Sequence, residues 1–111
     1  MAIAYKILGQ VHPSNSSETD LYTVPASTEA VVSTLTITNV TGSSANARVH
    51  ARIAGASTGH VNAILYDVPV AANSVAAFTL GLTLAATDVV TVKTSGGATL
   101  TFQLFGSEIT A

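Results

Sequence analysis

Phe78-Thr79-Leu80-Gly81-Leu82-Thr83-Leu84 is the stretch on which the fold turns. It lies within residues 72–86, a segment rich in Ala and Leu, which are both good helix formers. A helix would place its apolar residues three and four apart, whereas a strand sends alternate residues to opposite faces. Phe78, Leu80, Leu82 and Leu84 recur at every second position, and Gly81 in their midst disfavours a helix. The segment therefore reads as a strand with one apolar face.

The same period of two runs outward in both directions. Ile3, Tyr5 and Ile7 alternate with Ala4, Lys6 and Leu8 in a first strand that stops near Gly9. Residues 11–17 are dense in turn formers, and residues 20–24 form a short strand closed by Pro25. Val31, Ser33, Leu35 and Ile37 point one way while Val32, Thr34, Thr36 and Thr38 point the other, with Thr suited to an exposed pleat. Residues 41–44 turn the chain. Val49, Ala51 and Ile53 then face inward, leaving Arg48, His50 and Arg52 on an exposed strand face. Residues 55–59 read as a flexible loop, and residues 61–68 as a strand ended by Pro69. Beyond the central stripe, residues 85–88 make a turn and Val90 and Val92 point to the core. Residues 95–97 make a tight hairpin, and Leu100, Phe102 and Leu104 complete the inner face.

About eight strands with turns roughly every 8–12 residues predict an all-β fold, a single antiparallel β-sandwich of jelly-roll-like type. The chain of 111 residues suits one domain spanning 1–111, with residues 1–10 an N-terminal strand or an arm contacting a neighbour. Cys is absent, which excludes disulfides and thiolate metal sites. Charged residues make up 9% of the chain and apolar ones 48%, against about 25% charge in an ordinary soluble domain. Such a neutral surface suits packing against neighbours. The core must be built from medium-sized side chains, with three Phe, three Tyr and no Trp, so association is expected to add to its stability. A homo-oligomer or a lattice partner is expected.

The net charge of −2 and pI near 5.8 argue against a nucleic-acid partner. No apolar run approaches the ~20 residues of a membrane helix, so no membrane partner is expected. No basic stretch followed by an apolar block opens the sequence, which points to synthesis in the cytoplasm.

Candidate chemistry is sparse. His12, His50 and His60 lie in different segments with no ligand-like spacing, so no metal site is expected. Glu18, Asp20, Glu29, Asp67, Asp88 and Glu108 lie singly, and Asp88 reads as a turn residue bonding its local backbone. No serine sits in a nucleophile elbow, and Gly96-Gly97 lacks the Lys and helix of a phosphate loop. Asn15-Ser16-Ser17 and Asn39-Val40-Thr41 match the glycosylation tripeptide by chance. No catalytic, cofactor-binding or metal residues are assigned, and no cofactor is expected. What remains is an interface set: Ile3, Tyr5 and Ile7 of the first strand, the basic stripe Arg48, His50 and Arg52, and Phe105, which alternation turns away from the Leu104 face. Tyr22, Tyr66 and Phe105 are the aromatic side chains that a carbohydrate-binding module would need.

Five segments, taken in order, carry a resemblance. They are Tyr5-Lys6-Ile7-Leu8-Gly9-Gln10, Thr19-Asp20-Leu21-Tyr22-Thr23-Val24-Pro25, Val31-Val32-Ser33, Leu80-Gly81-Leu82-Thr83-Leu84-Ala85-Ala86-Thr87-Asp88, and the closing Leu104-Phe105-Gly106-Ser107-Glu108-Ile109. Together they resemble a family of small β-sandwich virion proteins of tailed bacteriophages. The resemblance implies a non-enzymatic particle component, above all a capsid decoration (cement) protein bound as a trimer to the major capsid protein. It implies residence in the virion after assembly in the bacterial host cytoplasm. A tail, neck or fibre-associated protein is the alternative, followed by a carbohydrate-binding adhesion module.

Overall fold

The computed structural model describes residues 1–110. It holds eight strands: β1 (Ala2–Val11), β2 (Thr19–Thr23), β3 (Thr28–Asn39), β4 (Ala45–Arg52), β5 (Ala63–Val70), β6 (Val75–Leu84), β7 (Val89–Thr94) and β8 (Leu100–Thr110). Two 3-10 turns, Ile53–Gly55 and His60–Asn62, lie between β4 and β5. The strands form two four-stranded antiparallel sheets, sheet A in the order β1-β8-β3-β6 and sheet B in the order β2-β7-β4-β5.

The pairing is nested. β4 pairs with β5, β3 with β6, β2 with β7 and β1 with β8, as in one long hairpin rolled up from its middle. The contacts β3–β8 and β4–β7 then close each sheet. This is the eight-stranded jelly roll, a double-sheet antiparallel fold that buries one face of each sheet against the other. The molecule measures 45 × 27 × 21 Å. Its core runs from Leu35, Ile37, Leu100, Phe102 and Leu104 in sheet A to Val49, Val90 and Val92 in sheet B, all of them fully buried.

Several local expectations are corrected. Residues 95–97 do not close a hairpin, because β7 has β2 on one edge and β4 on the other. With no edge free on β7, the chain crosses to the other sheet before starting β8. In β3 the inward set begins on the opposite parity: Ala30 and Val32 are buried while Val31 is exposed. Ser33 is an extra residue relative to β8, and this bulge switches the strand's faces before Leu35 and Ile37. Pro69 does not end a strand but lies inside β5, where the outer edge of sheet B requires no backbone donor.

β1 also runs past Gly9, through a bulge at Leu8. A Cβ at Gly9 would collide with the carbonyl of Leu21, so the glycine permits β1 and β2 to pass closely. Ile53, expected inside, is 79% exposed because β4 stops at Arg52. Asn39 is buried, donating from Nδ2 to the carbonyls of Ser43 and Val70, so its tripeptide is structural. Asp88 behaves as read, its carboxylate accepting from the backbone N–H groups of Ala85 and Ala54.

Candidate interaction surfaces

Two outer faces carry the candidate residues, one on each sheet. On sheet A the register aligns Ile3 opposite Ile109, Tyr5 opposite Ser107, and Ile7 opposite Phe105. β3 extends these rows with Glu29 opposite Ile109, Val31 opposite Ser107, and Thr34 opposite Phe105. Ile3 and Ile7 are 48% and 49% exposed and Tyr5 is 85% exposed, while Phe105 is half-buried between its neighbours. Ile3, Tyr5, Ile7, Val31, Phe105 and Ile109 thus share an apolar half of the face, with Glu29 its one charged member. Further along the strands the same face turns polar, with Gln10 Nε2 donating to Gln103 Oε1 at 2.8 Å.

Between the sheets, beside β1, lies a cluster that sequence reasoning missed. Lys6 Nζ sits 2.8 Å from Glu108 Oε1, and the hydroxyl of Tyr22 donates to Glu108 Oε2 at 2.5 Å. Lys6 and then Tyr22 hold the Glu108 carboxyl below the usual carboxylate range. Burial, followed by the bond to Glu108, pushes the Tyr22 hydroxyl far up, so it stays a proton donor. The cluster ties sheet A to sheet B and cancels the one positive charge of β1. Glu108 is 86 residues from Tyr22 in sequence and farther still from Lys6; the β1–β8 pairing brings Lys6 to it, and the packing of sheet B on sheet A brings Tyr22.

The basic stripe on sheet B is not the open cationic surface expected. Arg48 donates from Nε and Nη2 to both carboxylate oxygens of Asp67, at 2.7 and 3.1 Å, and its guanidinium lies 4.0 Å from the centre of the Tyr66 ring. Arg52 reaches Asp20 Oδ1 at 3.2 Å and also donates to the carbonyls of Gly55 and Ala56. His50, expected on an exposed face, is only 4% exposed. The reason is the connection of residues 53–62. Arg52 holds it at one end, and Thr58 Oγ1 donates at 2.6 Å to Glu18, next to β2, so it crosses the outer face of sheet B above His50 and Thr91. His50 Nδ1 has no hydrogen-bond partner among the described residues, and burial lowers the ring's affinity for a proton.

The apolar and basic sets therefore lie on different sheets, and the fold does not bring them together. The three aromatic candidates for sugar binding are equally scattered. Tyr22 is buried, Phe105 belongs to sheet A, and the Tyr66 ring is covered by Arg48 on its face and met edge-on by His60 at 5.2 Å. Among the described residues there is no group of three or more His, Cys, Asp or Glu side chains placed to hold a metal ion, and no helix long and apolar enough to cross a membrane.

The architecture has counterparts in particle-forming proteins. A chain from Bacillus endospore appendages, described as a family of disulfide-linked pili, matches with a TM-score of 0.59 at 18% identity, over 97% of this chain and 88% of that one. A chain from the acid-stable capsid of a Helicobacter pylori bacteriophage matches with a TM-score of 0.56 at 10% identity, over 99% and 94%. A chain of infectious bursal disease virus strain Gt matches with a TM-score of 0.50 at 11% identity, over 96% of this chain but 31% of that one. The fold is shared with these chains. No protein-family model and no curated protein sequence matches this chain.

Of the residues needed to describe the sheet A surface, Val31 and Ile109 were absent from the sequence-based set. Ile109 falls at the same parity as Phe105 in β8, so the alternation that singled out Phe105 also identifies it. Val31 was hidden by the Ser33 bulge, for which a sequence pattern carries no signal.

Proposed function

We propose that this chain is a non-enzymatic structural protein of a bacteriophage virion, specifically a decoration (cement) protein that binds the outer surface of the capsid as a homo-oligomer. The trimer is the assembly assigned to it, and the major capsid protein is its partner. The observation that carries this reading is the uncovered apolar half of sheet A, where Ile3, Tyr5, Ile7 and Phe105 lie in adjoining rows on a rigid sheet. Large exposed apolar patches on small domains mark interaction sites. At roughly 25 cal/mol per Å² of apolar area removed from water, covering a few such side chains supplies several kcal/mol. The likeness to a phage capsid chain supports the reading at the level of fold, and the ordered resemblance to tailed-phage virion proteins supports a place in the virion.

The test is occupancy on heads that lack the protein. Purified protein is incubated with heads and pelleted, alongside Tyr5→Ser, Ile7→Lys and Phe105→Ser variants. Full occupancy by the parent chain and severalfold loss for the variants is the expected result. Undiminished occupancy by all three variants would remove sheet A from the interface.

A tail, neck or fibre-base location is the second reading, favoured by the occurrence of this fold in a pilus-forming chain. Decoration requires many copies per particle, whereas a tail or neck ring requires few, so stoichiometry separates the two.

A further inference from the structure

The two sheets treat their edges differently. The free edges of sheet B are guarded: β2 is five residues long and carries Asp20, while β5 carries Pro69 and the ion-paired Asp67. Short edges, prolines and charges are the usual means of preventing strand-to-strand association. Sheet A is less protected, with the bulge at Leu8 near the end of β1 and the single Lys6 its only devices. Its edge strands β1 and β6 are ten residues each, neither contains proline, and β6 contains no charged residue. β1 has one charge, Lys6, already paired with Glu108 at 2.8 Å. Neither strand has a partner on its outer edge among the described residues.

We infer that copies of this chain join edge to edge through sheet A, with β1 of one copy antiparallel to β6 of the next. The inference rests on the self-associating reading given above and names the strands that carry it. Strand polarity allows it directly. Sheet A has an even number of antiparallel strands, so β1 and β6 run in opposite directions. A second copy placed beside the first in the same orientation continues the alternation without interruption. No unpaired charge is buried by the join, since one edge is uncharged and the other is internally neutralised.

The side chains agree with full overlap of the two strands. That register sets Ile3, Tyr5 and Ile7 opposite Thr83, Gly81 and Thr79 of the next copy, so outward residues meet outward residues from Ala2 to Ile7, as far as the bulge at Leu8. Tyr5, the most exposed aromatic side chain, then lies across Gly81, whose missing Cβ would meet nothing within 4 Å. Aromatic rings crossing an edge glycine are a favourable cross-strand pair. Phe78, Leu80 and Leu82 on the inner side of β6 are only half-buried, and a strand seated beside them covers that flank. Because the two edges differ, the contact is head-to-tail and generates a ring when the rotation closes.

The absence of cysteine from the chain makes the test clean. Ile7→Cys and Thr79→Cys are made singly in the full chain, both at exposed positions, then mixed under mild oxidation and read on non-reducing gels. The expected result is that the mixed disulfide dominates both homodimers and that the double variant forms closed multimers. A dominant Ile7→Cys homodimer would overturn the inference in favour of β1 against β1 about a twofold. Absence of cross-linking, with a monomer in sedimentation velocity, would overturn it outright. The protein's presence in particles is measured separately, so edge pairing and the virion role fail independently.

Discussion

At the scale of single residues, His50 and Glu108 set the response to acid. An ordinary histidine takes up a proton near pH 6.5, and burial holds the His50 ring below that in the folded chain. The unfolded chain therefore binds the proton first, and stability falls as pH drops from about 6.5 toward the folded value, by at most about 1.4 kcal/mol per pH unit. Protonation would also place a cation near Arg48 and Arg52, with Glu18 opposing that repulsion. Glu108 acts in a lower window. Its folded carboxyl is held below the usual value by Lys6 and Tyr22, so its contribution is complete above about pH 4.3 and is lost as pH falls through the folded value. Chemical denaturation from pH 7.5 to 3 should show both declines, and His50→Gln should abolish the upper one alone. Gly106 matters for space. A Cβ there would collide with the carbonyl of Val31, backbone that cannot move aside. Gly106→Ala should cost about 1–3 kcal/mol in urea unfolding. None of this was legible in the sequence, because each effect depends on a neighbour across the sheet or under a loop.

Among the elements, strand identity was legible and strand partnership was not. The alternation in β6 or in Leu100, Phe102 and Leu104 survives in the fold because each strand has one face on the core. The turn after β7 misled because Gly96-Gly97 is equally compatible with a hairpin and a crossing between sheets. Occupancy of both β7 edges decided the outcome. The connection of residues 53–62, of which residues 55–59 were expected to be flexible, is held by Arg52, which bonds two of its carbonyls while also reaching Asp20 and Thr91. Arg52→Ala should release it. Limited proteolysis should then cut within residues 55–59 severalfold faster while the β-sheet circular dichroism is unchanged, because the exposed loop can open without unfolding the sheets.

At the scale of the whole molecule, low charge and open edges on one sheet belong together. The neutral surface noticed in the composition is distributed unequally: on sheet B Arg48 pairs with Asp67 and Arg52 with Asp20, while half of the sheet A face is apolar. The interior is a separate matter, so Phe102→Ala should destabilise the fold by about 3–5 kcal/mol. Phe105→Ser should instead reduce assembly with little change in monomer melting temperature, as expected for a side chain on the outer face. The proposed role as a particle subunit is tested most directly by quantitative mass spectrometry of purified virions. The account predicts a fixed, high copy number in simple ratio to the major capsid protein; absence of the chain from purified virions would contradict it.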